Sequence, residues 1–159
     1  MLYTLENEKI KITISNQGAE LHNIKSKVDG IEYLWNRNKR YWGYSAPVLF
    51  PIVGKVNNGS YRVDGKEYNL PQHGLARLKE FEMIKKTDDN IVFELVDSEE
   101  TLKVYPYKFS LKISYTLLEN GVITEYIVEN TDNKMIYFSI GAHPAFMCPI
   151  MPGEIIDDY

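Results

Sequence analysis

At 159 residues, 44% of them apolar and 25% charged, the chain has the length for one domain over residues 1–159 and is short for two. Eighteen Lys and Arg against 22 Asp and Glu leave a net charge of −4, so there is no electrostatic reason to expect nucleic acid or an anionic membrane as a partner. The single Cys148 rules out an internal disulfide, Glu6 and Glu8 stand where a secretory leader needs positive charge, and no apolar run approaches the ~20 residues of a membrane span, which together predict a cytoplasmic protein.

Along the chain, Ile10, Ile12 and Ile14 alternate with Lys9, Lys11, Thr13 and Ser15, the period-two pattern of a strand with one wet face. Gln17-Gly18 turns into a second strand over residues 19–27, and Asp29-Gly30 predicts a type I′ hairpin leading into residues 31–35. His22, inside this pattern, reads as an ordinary strand histidine. Between residues 36 and 51 the alternation gives way to a long loop, where Tyr41, Trp42, Tyr44 and Phe50 crowd beside Arg37, Lys39 and Arg40. Aromatic faces next to charged groups suit sugar rings, whose C–H faces stack while their hydroxyls bond outward; the same rings serve equally well as caps on a core.

The apolar run from Leu49 to Val53, closed by Gly54, places Lys55 either at the end of a buried strand or on a solvated turn. Asn57-Asn58-Gly59 and Asp64-Gly65 are turn signals around a hairpin of residues 60–63 and 66–70. Asn58-Gly59-Ser60 has the form of a glycosylation sequon, but in a cytosolic protein it is only a turn. Residues 80–86 and 91–97 alternate about Asp88-Asp89-Asn90, and Asp97-Ser98-Glu99-Glu100 caps one helical turn that Tyr105-Pro106 stops. The cleanest pattern follows, with Phe109, Leu111, Ile113, Tyr115 and Leu117 set against Ser110, Lys112, Ser114 and Thr116. Asn120-Gly121 turns the chain into residues 122–130, and residues 135–140 are predicted as a further strand. At least nine strands, one helical turn and no βαβ rhythm predict an all-β fold, an antiparallel β-sandwich.

Two stretches stand out for chemistry: Pro71-Gln72-His73-Gly74-Leu75-Ala76-Arg77, and Ser139-Ile140-Gly141-Ala142-His143-Pro144-Ala145-Phe146. Each sets a histidine beside glycine or proline next to β-patterned sequence, and His73 and His143 are expected to face one cleft. There is no GxGxxG, no GxxxxGK[ST] and no Cys or His pair at metal-ligand spacing, so no metal is expected. Ser139 lacks a nucleophile-elbow context.

These residues carry a resemblance. Pro47-Val48-Leu49-Phe50-Pro51-Ile52-Val53-Gly54, His73-Gly74-Leu75-Ala76-Arg77, Tyr105-Pro106 and Gly141-Ala142-His143-Pro144-Ala145-Phe146, in this order, resemble the aldose 1-epimerase (galactose mutarotase-like) family, in its bacterial branch near the hexose-phosphate epimerases. The resemblance implies a large antiparallel β-sandwich, the galactose mutarotase-like supersandwich, with a sugar cleft and no cofactor. It also implies reversible ring opening at the anomeric carbon. Within it, His143 looks like the acid at the ring oxygen and His73 like its companion in binding and polarising the sugar. Histidine suits such work because its ordinary pKa of ~6.5 lets it exchange a proton near neutrality. Arg77 and Lys55 look like substrate-binding cations, Lys55 standing where many relatives have arginine and offering a point charge in place of a planar fork.

The family's catalytic base is a glutamate far toward the C-terminus, so the chain looks like the N-terminal portion of a longer domain. Glu154, Asp157 and Asp158 lie in a segment that resembles the start of the next strand, not the base-bearing motif. An incomplete sandwich would expose strand edges and invite association through them. Three readings remain open from sequence: an anomer-interconverting isomerase, a non-catalytic carbohydrate-binding sandwich using the same cleft, and a plain sandwich whose histidines only satisfy turns.

Overall fold

A computed structural model describes residues 1–151 and 153–158, apart from the Asp158 side chain. The strands among these residues are β1 (Leu2–Glu6), β2 (Ile10–Ser15), β3 (Leu21–Ser26), β4 (Val48–Leu49), β5 (Ser60–Val63), β6 (Lys66–Asn69), β7 (Glu82–Lys86), β8 (Asn90–Val96), β9 (Phe109–Leu118), β10 (Gly121–Asn130) and β11 (Gly141–Ala142). They pair as β1-β2-β3, β10-β9-β8-β7, β11-β4 and β5-β6, and every ladder is antiparallel.

β9 shows why the larger sheet has one register. Phe109, Leu111, Ile113, Tyr115 and Leu117 are all buried, so a one-residue slip would turn the whole set out of the core. Its other face is a polar ladder. Ser110 Oγ donates to Glu94 Oε1 at 2.6 Å, Asn90 Nδ2 donates to Ser114 Oγ and Thr116 Oγ1, and Lys112 reaches Glu129 at 3.1 Å. Such cross-strand pairs contribute roughly 0.2–1 kcal/mol each.

Leu5, Ile12 and Ile14 of the three-stranded sheet share one core with Ile91, Phe93 and Ile113 of the four-stranded sheet. Tyr3 packs edge-on against Phe93 at 5.3 Å, and the buried Tyr115 hydroxyl donates to the Ala19 carbonyl at 2.7 Å. The expected antiparallel sandwich is therefore the architecture that forms. The expected helical turn is α1 (Glu99–Leu102), started by a reciprocal cap between Ser98 and Thr101. Asp64 and Gly65 both have positive φ, as a two-residue hairpin turn requires.

Four local expectations fail. Residues 135–140 are not a strand: the Tyr137 carbonyl accepts from the Tyr105 hydroxyl and the Ser139 N–H donates to Pro51 O, and ladder pairing is confined to β11. Residues 31–35 make only isolated bridges, because Glu32 Oε1 takes the N–H groups of Ile24 and Leu34 that a ladder would use. Of the Asp29-Gly30 pair only Gly30 has positive φ, so the turn is not type I′. Ile156–Asp158 is a single 3₁₀ turn, not the start of a strand. β1 had no sequence signal. β10 pairs on one side only among the described residues, leaving Ile123 and Ile127 nearly half exposed.

Candidate active site

The site is built on the segment from Ser45 to Gly54, a rib between the two histidine stretches that is buried from Pro47 to Pro51. Successive carbonyls of an extended chain point to opposite sides, and here each side holds one stretch. On one side Pro47 O and Pro51 O accept from the N–H groups of His143 and Ser139, and β4 pairs with β11. On the other, Phe50 O accepts from both Leu75 and Ala76, and Phe50 bridges Gly74 in parallel. The main chains carrying His73 and His143 are thus separated by a single strand, about 10 Å across at ordinary strand spacing.

Gly74 is what allows the first of these contacts. Its φ is +73°, and a Cβ there would lie 2.2 Å from Phe50 O and 2.5 Å from its carbonyl carbon. His73 itself is held at φ 68°, a left-handed conformation that β-carbon-bearing residues seldom adopt. Its N–H donates to Gly54 O at 2.7 Å, and its Nδ1 bonds to the Val53 carbonyl. A carbonyl only accepts, so Nδ1 carries the proton and Nε2 is left as the exchangeable nitrogen. The Gln72 amide nitrogen stands 3.3 Å from that Nε2.

His143 is exposed, on the residue after β11. No hydrogen bond to its ring is made among the described residues; the ring rests on the Trp42 indole, with centroids 4.9 Å apart and planes tilted by 43°. Trp42 in turn lies 6.0 Å from Tyr44, and the Arg77 guanidinium sits 5.0 Å over the Tyr44 ring. Arg77 Nη2 donates to Gln72 O at 3.1 Å, while its buried Nε has no acceptor among the described residues. Arg77 lies in a 3₁₀ turn, Ala76–Leu78. Behind it the β2–β3 turn closes in, with the Gly18 N–H donating to Lys79 O at 2.7 Å. The structure thus joins His143 to Arg77 through two aromatic rings and places His73 across the rib. Lys55 stands apart, exposed, with no ion pair among the described residues.

Sequence reasoning passed over Glu20, which anchors the start of the rib. Its Oε1 accepts from the N–H groups of Ser45 and Ala46, its Oε2 lies 3.6 Å from His22 Nε2, and the Ser45 hydroxyl donates to Leu21 O at 2.7 Å. Burial opposes a charged carboxylate here, but the His22 hydrogen bond and the two backbone donors outweigh it and hold the Glu20 pKa below the ordinary range. The only trace in the sequence is a glutamate two residues before a histidine at the start of an otherwise ordinary strand.

A carboxyl whose folded pKa is depressed contributes stability above its unfolded value and loses it as pH falls through the folded value. Glu20→Gln is therefore expected to cost about 1–3 kcal/mol at neutral pH and to flatten the dependence of stability on pH below about 4.5. Urea denaturation from pH 3 to 8 checks both; parallel curves for the two proteins would show that Glu20 is not the titrating anchor.

A cavity of about 490 Å³ is lined by Tyr61, Tyr105, Tyr107, Tyr137 and Phe138 among others, and by none of His73, His143, Arg77 or Lys55. Its wall does include Ser139, whose hydroxyl lies 3.3 Å from the Val53 N–H. The motif residues, not this hollow, define the candidate site, because they set two histidines about one strand with Arg77 linked to His143 through aromatic rings. No group of three His, Cys, Asp or Glu among the described residues is placed to hold a metal, and no helix described is long and apolar enough to cross a membrane.

The sequence and the fold both have known counterparts. The family model for aldose 1-epimerase matches residues 1–158. The chain is 38% identical, over its whole length, to the chromosomal LacX protein of Lactococcus lactis, of which it covers 55%. It superposes on a galactose mutarotase related enzyme from Lactobacillus acidophilus with a TM-score of 0.94 at 44% identity, covering 97% of this chain and 51% of that one. For a galactose mutarotase-like protein from Lactobacillus casei the TM-score is 0.90 at 39% identity, over 93% of this chain and 50% of that one. The chain spans about half the length of these relatives, and it belongs to the aldose 1-epimerase family.

Proposed function

We propose that the polypeptide carrying this chain interconverts the α and β anomers of a hexose or hexose phosphate. His143 gives a proton to the ring oxygen as a base takes the proton of the C1 hydroxyl; the C1–O5 bond breaks and the open aldehyde forms. Rotation about C1–C2 and the reverse transfers close the ring on the other face. His73, with Nδ1 committed to Val53, offers Nε2 to a sugar hydroxyl, and Arg77 and Lys55 supply positive charge for hydroxyls or a phosphate. The base is the glutamate that the family resemblance places beyond residue 159. No metal or organic cofactor enters these steps.

The observation that carries the reading is the rib, which sets the two family histidines on either side of one strand within a chain of aldose 1-epimerase sequence. Polarimetry of freshly dissolved glucose, galactose and a hexose 6-phosphate, with the full polypeptide added, is the test. Faster approach to the equilibrium rotation is expected, and a rate no higher than in buffer for all three would overturn the reading.

One observation favours the alternative of sugar binding without catalysis. Among the described residues no carboxylate hydrogen-bonds or pairs with His73 or His143, and the buried Glu20 is engaged by the rib. Calorimetric binding of a hexose without rate enhancement would support that reading.

A further inference from the structure

We infer that Trp42 is a positioning residue, holding the His143 imidazole in the orientation from which it acts on the sugar. The inference rests on the proposed role of His143 and extends it to a residue with no proton to give.

His143 is exposed, its neighbours Ala142 and Pro144 are exposed as well, and no hydrogen bond fixes its ring among the described residues. This contrasts with His73, which is anchored by Nδ1 to a carbonyl. An exposed imidazole just beyond a two-residue strand has several side-chain rotamers open to it, and the ring contact that favours one of them is the indole at 4.9 Å. A proton donor must sit within hydrogen-bonding reach of its acceptor to act, so rotamer choice bears directly on the chemical step.

The main chain that carries the indole is itself well fixed, which a positioning group requires. The Trp42 carbonyl accepts from Trp35 Nε1 at 2.8 Å, and the Trp35 N–H donates to Ala145 O at 2.8 Å, two residues beyond His143. The Trp42 N–H donates to Asn38 O at 2.9 Å. Three residues on, Ser45 is clamped by the buried Glu20. The loop carrying Trp42 is thus tied both to the His143 stretch and to the rib. Tyr44, two positions along, faces the Arg77 guanidinium, so one short segment sets the places of a proton donor and a cation from distant parts of the chain. Through Trp35, the Trp42 main chain is linked to the same stretch that its side chain touches.

The test uses Trp42→Leu and Trp42→Phe in the full polypeptide, with the melting temperature recorded for each. Two readouts are followed: the imidazole C–H proton resonances of His143, assigned by their loss in His143→Ala, and the kinetics of anomer interconversion. In the unsubstituted protein the indole ring current displaces the His143 signals. Trp42→Leu is expected to return them toward the positions of an unstacked histidine, and Trp42→Phe to leave them in between. In parallel kcat is expected to fall about tenfold in Trp42→Leu with KM changed less than twofold, and to be largely restored in Trp42→Phe.

His143 resonances identical in all three proteins would overturn the inference, since the ring would then not be held by Trp42. Displaced resonances with unchanged kcat would also overturn it, because the orientation would not matter to the step. Should the unsubstituted protein bind hexose without accelerating interconversion, the proposed function fails by itself. The positioning inference is then decided by the resonances alone. If Trp42→Leu does not fold, Trp42→Phe decides by its resonances, which must differ from those of the unsubstituted protein for the inference to stand.

Discussion

His143→Ala, made in the polypeptide that carries this chain, is expected to slow anomer interconversion by about 10²–10⁴-fold, the usual contribution of a positioned general acid. Hexose affinity should change little, because Arg77, Lys55 and His73 remain. Stability should be within about 0.5 kcal/mol of the unsubstituted protein, since the ring is exposed and makes no hydrogen bond among the described residues. His73→Asn is a useful contrast. Asparagine tolerates the left-handed backbone that His73 adopts at φ 68°, so any loss there reports on the imidazole, its bond to Val53 O included, and not on backbone strain. A weaker KM is expected in that variant, with a smaller fall in kcat. Polarimetry over a range of sugar concentration measures both constants, and undiminished kcat in His143→Ala would remove this residue from the chemical step.

Gly74→Ala is expected to cost more than about 4 kcal/mol, beyond the range of ordinary single substitutions. The added Cβ would meet Phe50 O at 2.2 Å, the Phe50 carbonyl carbon at 2.5 Å and Pro51 N at 2.7 Å, all of them backbone atoms of the rib. A flexible side chain could move aside, but a buried main chain held by hydrogen bonds from Leu75 and Ala76 cannot do so without giving those bonds up. The φ of +73° adds the strain of a left-handed alanine. Gly54→Ala is the matched control, since nothing lies within 4 Å of its Cβ, and it should shift the urea midpoint only slightly. Similar midpoints for the two variants would show that the His73 loop does not need its close approach to the rib.

How much of this was legible in the sequence follows from how each element is stabilised. β2 and β9 bury one face, so their alternation is a direct image of the core. α1 announces itself through its cap residues, which act locally. Residues 135–140 mislead because they are apolar without being core: Met135 and Tyr137 are about 70% exposed, and the backbone groups bond to the Tyr105 hydroxyl and to Pro51 in place of a ladder. Residues 31–35 mislead for the opposite reason, since a single side chain, Glu32, occupies the donors of its neighbours.

The two histidine stretches stood out by their glycines and prolines, and the resemblance named their roles. Nothing in their spacing told that one strand would run between them, because that strand comes from a third part of the chain. The Trp42 contact with His143 and the Glu20 clamp on Ser45 are likewise products of tertiary folding. They join residues with no shared period or motif.

The rib also bears on which changes in chain length the site can absorb. Its carbonyls address one neighbour from Pro47 and Pro51 and the other from Phe50. One residue inserted between Pro47 and Phe50 would therefore swap the sides on which the later carbonyls point and put the two histidine stretches out of step, whatever side chain it carried. A residue inserted at Lys39 or Arg40, exposed positions at the tip of the aromatic loop, lengthens an excursion that begins and ends outside that frame. Homologous chains are accordingly expected to vary in length between Asn36 and Tyr41 and to keep the interval from Pro47 to Gly54 fixed. The constraint on this stretch is one of counting as much as of chemistry.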